Sequence, residues 1–203
     1  KNKEKTTSRE ELSALAKIGR EEGVFGEKEN KIIQNILKLK SLKVGEIMTP
    51  RVVVSAADEN MPINNFPNVA ALLRFSRIPV YSENFDNITG YVFRQQVFEK
   101  LSRKENELKL KDLRREILIT YESRPIFAVW EELLERKEHI AIVVDEFGGL
   151  QGVVTMEDII ETLLGFEILD ETDTVSDMQE FARERWQKRQ EKYRYLTGYK
   201  REE

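Results

Sequence analysis

"RIPVYSENFDNITGYVF" (residues 77–93) and "HIAIVVDEFGGLQGVVT" (residues 139–155) are two copies of one pattern, and their reading decides the fold. Set one over the other without a gap, Phe85 falls on Phe147, Ile88 on Leu150, Gly90 on Gly152 and Val92 on Val154. Each copy reads as an apolar strand, a turn rich in Asn, Asp or Gly, and a second short strand that passes through a Gly. An amphipathic helix follows each, "RQQVFEKLS" in the first copy and "MEDIIETLLG" in the second. Upstream of each strand pair the spacing predicts another helix, over residues 61–74 and 126–138. The unit is βαββα, used twice. One copy cannot form a core alone, so the two are expected to pack about a pseudo-two-fold, with a ligand crevice between them.

The second copy places a hydroxyl and a carboxylate three residues apart where its last strand becomes a helix, at Thr155 and Asp158. Two readings are open. In one, Thr155 is the N-cap of a capping box and Asp158 replaces the usual Glu at the third helical position. In the other, the free N–H groups and positive dipole end of the helix receive an anionic ligand there. The first copy keeps the strand, the Gly and the helix but has Phe93 and Gln96 in the same columns. A fold that manages once without the polar pair makes a ligand the better explanation of the pair than capping alone.

Composition bounds the chemistry. The 203 residues carry 34% charged and 40% hydrophobic side chains, a net charge of -4 and a pI near 5.4, which argues against nucleic acid as the partner. The absence of Cys excludes disulfides, thiolate metal sites and thiol nucleophiles, and a single His, His139, makes a histidine-ligated metal or a Ser-His-Asp machine improbable. No run approaches the 18 apolar residues of a membrane span. The start "KNKEKTTSREEL" has neither an initiator Met nor a signal sequence, so a longer parent protein is expected.

Flanking segments have their own character. Residues 1–7 read as a charged lead-in. Two helices then make a hairpin within residues 1–41: Ser8 is the N-cap of the first with Glu11 three residues on, Leu12, Leu15 and Ile18 form its apolar stripe, and Gly23 ends it. The outer face holds Glu10, Glu11, Glu21, Glu22, Glu27 and Glu29, either a solvated acidic face or a loose divalent-cation site, with Glu21, Glu22, Glu27 and Glu29 the candidate ligands. The first repeat is assigned to residues 42–104 and the second to 105–166. Residues 167–203 read as an acidic loop followed by a charged C-terminal helix with Phe181, Trp186 and Tyr193, aromatics suited to docking the tail.

"VGEIMTPR", "SRIPVY", "VVDEFGGLQGVVTMEDIIETLLG" and "EILDETD" occur in the order seen in one family, and residues 42–175 closely resemble the CBS-domain pair of the CorC/CNNM magnesium transporters, also known as hemolysin-like proteins. The acidic hairpin is similar to the helical bundle that joins that pair to a membrane domain. The resemblance implies an α+β tandem CBS-domain pair on the cytoplasmic side of the membrane, in a multi-pass protein whose transmembrane domain lies N-terminal to Lys1. It further implies a homodimer that binds ATP with Mg²⁺ and couples nucleotide to Mg²⁺ transport.

Sites carry over residue by residue. The family's nucleotide motif G-h-x-[ST]-x-x-D is matched by Gly152, Thr155 and Asp158, whose carboxylate would meet the ribose hydroxyls. Gly90, Phe93 and Gln96 fill the first repeat's columns, which implies one competent site and one degenerate one. By the family's pattern the other wall comes from the first repeat, with Thr49 in the entry strand, Ile78 and Pro79 where main-chain and apolar contacts sandwich the adenine, and Arg77 contacting phosphate through its forked guanidinium. So acidic a chain would repel bare polyphosphate, so the bound species is expected to be the magnesium complex. No GxxxxGK[ST] loop and no base or arginine-finger arrangement is present, so binding without turnover is expected and the chain is not read as an enzyme. The alternative is a dimerisation scaffold that binds no nucleotide.

Overall fold

The computed structural model describes residues 8–166. Two helices open it, α1 (Arg9–Glu21) and α2 (Glu27–Leu39). The Ser8 hydroxyl accepts from the Glu11 N–H at 3.1 Å while the Glu11 carboxylate accepts from the Ser8 N–H at 3.2 Å, the expected capping box, and Gly23 turns the chain at φ 74°. The α1 stripe is not covered: Leu12, Leu15 and Ile18 are 44%, 59% and 47% exposed. The charged tail read at residues 167–203 lies outside the described residues.

Among the described residues seven strands follow, in two sheets. A short α3 (Val44–Ile47) leads into β1 (Thr49–Pro50); the first repeat then supplies β2 (Ala57–Asp58), β3 (Arg77–Tyr81), β4 (Ile88–Phe93) and α4 (Arg94–Ser102). The second supplies β5 (Leu118–Tyr121), α5 (Ile126–Arg136), β6 (Ile140–Val144), β7 (Leu150–Thr155) and α6 (Met156–Leu164). Strand order is β2-β3-β4 in one sheet and β1-β7-β6-β5 in the other. In both, the first strand of the repeat pairs parallel with the next, and the hairpin that follows is antiparallel. The second repeat is the expected βαββα unit.

The first repeat departs from it in one element. The helix predicted over 61–74 is a 3-10 segment, Ile63–Asn68, followed by turns. Pro62 precedes the segment and Pro67 lies inside it, and a proline in mid-helix removes a hydrogen-bond donor and clashes with the preceding turn. Ile63 and Phe66 still reach the core, both wholly buried.

The chain also crosses between repeats. Residues 42–50, assigned to the first repeat, add to the second: Thr49 pairs antiparallel with Val153 and Pro50 with Gly152, and Val44 belongs to the second repeat's core with Leu39, Val129, Val143 and Ile159. The linker before the second repeat returns the arrangement. Leu110 and Leu113 pack in the first repeat's core with Ile63, Phe66, Ile78, Val80 and Val92, and Arg115 pairs with Tyr91. A third cluster closes the space between the sheets, built by Ile88 from one repeat and by Ile142, Leu150 and Val153 from the other, with Tyr81 and Phe85 against it. Alternation along each strand explains the partition, since successive residues face a repeat's own helices and then the opposite repeat.

Register corrects the gapless superposition of the two copies. Val80 pairs with Gly90, and Val143 with Gly152, so the first hairpin is one residue longer and β3 matches β6 with an offset larger by one than that of β4 to β7. Glu83 absorbs the extra residue at φ 60°, where the shorter second turn uses Gly148 at φ 82°. The structural counterpart of Arg77 is therefore Ile140, not His139: Arg77 pairs with Phe93 and Ile140 with Thr155.

Candidate functional site

Two strand-to-helix junctions result, one per repeat. At the second, β7 ends on Thr155 and α6 begins at Met156. The Thr155 hydroxyl accepts from the Asp158 N–H at 3.2 Å, and one oxygen of Asp158 accepts from the Thr155 N–H at 2.6 Å and from its hydroxyl at 2.7 Å. The capping box is real, and both side chains are half-buried. Its carboxylate sits at the positive end of a nine-residue helix, where negative charge is stabilised.

β1 lies against this junction. Thr49, opposite Val153, is two residues along from Thr155 on the neighbouring strand. A side chain at Gly152 would collide with the backbone carbonyl of Thr49, so the motif's Gly is required by the close approach of two backbones. Thr49 thus lies on the strand beside the one that ends on Thr155.

The first junction has the same scaffold and different chemistry. β4 ends on Phe93, which provides no side-chain cap to α4, yet α4 is also nine residues long. Arg115 takes the position of Thr49: its N–H donates to the Tyr91 carbonyl at 2.8 Å, its carbonyl accepts from the Tyr91 N–H at 3.0 Å, and a side chain at Gly90 would strike that carbonyl. The guanidinium carbons of Arg77 and Arg115 each lie 5.2 Å from the centre of the Phe93 ring. Tyr91 meets that ring edge-on at 5.4 Å and donates its hydroxyl to Glu138 at 2.8 Å. Burial, followed by that bond to a carboxylate, raises the Tyr91 phenol above its ordinary value.

Other expected site residues are placed as follows. Pro79 and Arg77 share the β3 face that carries Tyr91 and Phe93 across the strand pair. Ile78 does not: it points into the first repeat's own core, fully buried among Val80, Val92 and Val97, so its side chain is no wall of the crevice. The one-residue difference between hairpins is not responsible; strict alternation puts neighbours Ile78 and Pro79 on opposite faces. Arg77 makes its ring contact at the first junction, not the second.

Among the described residues no three carboxylate or imidazole groups gather to hold an ion, and Glu29 gives its carboxylate to the Gly26 N–H at 2.7 Å. Residues Glu21, Glu22 and Glu27 lie on the exposed surface.

Sequence reasoning missed Arg115, although a signal existed. The linkers "KVGEIMTPR" (43–51) and "KLKDLRREI" (109–117) are a second internal repeat, in which Glu46 caps the Lys43 N–H and Asp112 the Lys109 N–H, both at 2.8 Å. Aligning them puts Arg115 in the column of Thr49.

Two repeats, one βαββα and one with a 3-10 segment in place of the first helix, whose linkers exchange sheets and which each end in a strand-to-helix junction, define a CBS-domain pair, and the CBS domain family matches residues 110–165. The chain belongs to the CNNM/CorC family, in which such a pair accompanies magnesium transport. A solved CBS domain of a bacterial CNNM/CorC family Mg²⁺ transporter is 34% identical, with a TM-score of 0.75 over 80% of this chain and 99% of that one. A structure of such a domain in complex with ATP, also 34% identical, has a TM-score of 0.64 over 68% of this chain and 97% of that one. The magnesium and cobalt efflux protein CorC of Escherichia coli is 28% identical over 181 residues, 88% of this chain and 62% of that protein. The chain spans about half the length of other curated relatives, such as a Synechocystis protein at 31% identity and 52% coverage. Among the described residues no helix is long and apolar enough to cross a membrane.

Proposed function

We propose that the chain is the cytosolic regulatory part of a membrane Mg²⁺ transporter or exporter, and that it binds Mg-ATP at the second repeat's junction without hydrolysing it. The observation that carries this reading is the asymmetry of the two junctions. α4 forms nine residues behind Phe93 with no side-chain cap, so α6 does not need Thr155 and Asp158 merely to exist at the same length. A polar pair retained at one junction, beside Thr49 and at a helix N-terminus, suits the ribose and phosphate of a nucleotide. The ATP-bound relative supports the ligand. Mg²⁺ enters on the phosphates, which relieves their repulsion by a chain of net charge -4.

Transmission follows α6. From Thr155 the helix runs roughly 14 Å to Gly165. There the Gly165 carbonyl accepts from Lys31 at 2.6 Å and the Leu163 carbonyl from Asn35 at 3.1 Å, both on α2 of the hairpin. A ligand that favours one placement of α6 therefore biases the hairpin and, through it, a membrane domain N-terminal to the chain. For this, ATP must bind one arrangement more tightly than the other. The uncovered α1 stripe suits a hairpin that meets such a domain. The functional unit is a homodimer through the CBS pair; Ile119, Tyr121 and Phe147, 57%, 53% and 90% exposed, give the second repeat apolar surface for it.

A dimerisation scaffold without nucleotide is favoured by a single observation, that Thr155 and Asp158 already satisfy one another. Calorimetric titration with Mg-ATP, paired with a thermal melt, separates the two. Heat of binding and a rise in Tm support regulation; no heat and no shift at millimolar nucleotide leave the scaffold.

A further inference from the structure

We propose that the first repeat's junction is a phosphoryl-anion site built by Arg77 and Arg115 on a shared Phe93 platform. The proposal rests on the nucleotide reading for the source of its ligand and for Arg77 as a phosphate contact, and adds to it Arg115, Phe93 and their place at the first junction. Arg77 reaches the ring from β3, in register with Phe93, and Arg115 reaches it from the linker on the other side of β4. With both guanidinium carbons 5.2 Å from one ring centre, twice that distance is the most that can separate the two cations, about a Debye length at 0.1 M salt.

Neither cation is neutralised. Arg51, Arg103, Arg114, Arg124 and Arg136 each pair with a carboxylate, but Arg77 and Arg115 form no ion pair among the described residues. The Arg77 Nε is buried and lacks any hydrogen-bond partner. The nearby carboxylate, Glu138, is engaged by the Tyr91 hydroxyl at 2.8 Å. Two forked guanidiniums held by a ring suit the oxygens of a phosphoryl group. On this reading Phe93 does not mark a site that merely decayed: the column that holds a hydroxyl in the second repeat holds a cation platform in the first.

A phosphoryl group could come from the polyphosphate end of the nucleotide or from free phosphate, and calorimetry on the full chain distinguishes them. The titrants are Mg-ATP, AMP and inorganic pyrophosphate, run on the wild type, Arg115→Gln and Phe93→Leu. Arg115 is exposed, so Arg115→Gln is expected to melt with the wild type. A tail-binding site predicts that Arg115→Gln weakens ATP about tenfold, leaves AMP within about twofold, and that pyrophosphate competes with ATP. A free-anion site predicts pyrophosphate binding that depends on Arg115 and persists with ATP bound; if pyrophosphate binds so and ATP does not bind at all, the nucleotide reading falls and this site stands. Phe93→Leu, which removes the platform and keeps an apolar side chain, should weaken the same ligand. If ATP binds and neither it nor pyrophosphate responds to Arg115→Gln, or if pyrophosphate and ATP both fail to bind the wild type, the site does not exist.

Discussion

Replacing Thr155 by Val removes one oxygen and keeps the branched shape, so it separates the two roles of that hydroxyl. In the fold it caps α6 by accepting from the Asp158 N–H at 3.2 Å, a long bond, and donates to Asp158 at 2.7 Å. Losing an N-cap costs about 0.5–2 kcal/mol. The low end applies here, because the Asp158 carboxylate keeps its 2.6 Å bond from the Thr155 N–H, a backbone donor that the substitution leaves in place. α4 gives an internal control, holding nine residues without such a cap. A loss of about 0.5–1 kcal/mol lowers Tm by roughly 1–4 °C in a chain of this size. Nucleotide binding should suffer more: a hydrogen bond to a charged phosphate is worth about 1.5–3 kcal/mol, or roughly 10- to 100-fold in Kd. Differential scanning calorimetry and Mg-ATP titration on the same preparation read both effects. A Thr155→Val protein that melts more than about 10 °C low, or that melts normally and binds ATP with unchanged affinity, refutes the assignment of the hydroxyl to ligand.

Three further substitutions test neighbouring claims. Ile78→Val trims a wholly buried side chain of the first core, so it should cost about 0.5–1.5 kcal/mol by chemical denaturation while leaving ATP affinity unchanged. Gly152→Ala drives a methyl into the Thr49 carbonyl; an overpacking cost of about 1–3 kcal/mol, with weaker ATP binding as β1 is displaced, is expected in a melt and a titration. Asp145 accepts from the Gly149 N–H at 2.8 Å, the Phe147 N–H at 2.9 Å and Gln151 at 2.7 Å, and these bonds, that of Gly149 first, hold its carboxyl below the ordinary carboxylate value. A depressed folded pKa means that the unfolded chain binds the proton first, so this stabilisation is complete above the unfolded value of about 3.9 and is lost as pH falls through the lower folded one. Asp145→Asn should therefore flatten the acid side of the stability curve below about pH 4, in melts run from pH 2 to 6.

Much of this architecture was legible because the signals were local. Gly90 and Gly152 stood out at matching columns, and the capping residues Ser8, Glu11, Thr155 and Asp158 announced their helix starts. What was illegible depended on pairing between distant segments. Nothing local in "MTPR" says that Thr49 joins the sheet of a repeat a hundred residues away, or that Arg115 makes the reciprocal crossing. A gapless alignment hid the extra residue that Glu83 accommodates, and with it the true partner of Arg77. The apolar spacing of 61–74 resembled a helix, but Pro62 and Pro67 permitted only 3-10 turns. The motif that contains Ile78 offers the crevice its main chain and its side chain alike; the alternation of β3 sends the side chain to the core.

The most direct test of nucleotide binding at a single junction is the stoichiometry of Mg-ATP measured by calorimetry on the wild-type chain, repeated with Asp158→Ala and Gln96→Ala. One nucleotide per chain, lost with Asp158→Ala and unaffected by Gln96→Ala, is the predicted result. Two nucleotides per chain, or one that survives Asp158→Ala, would contradict it.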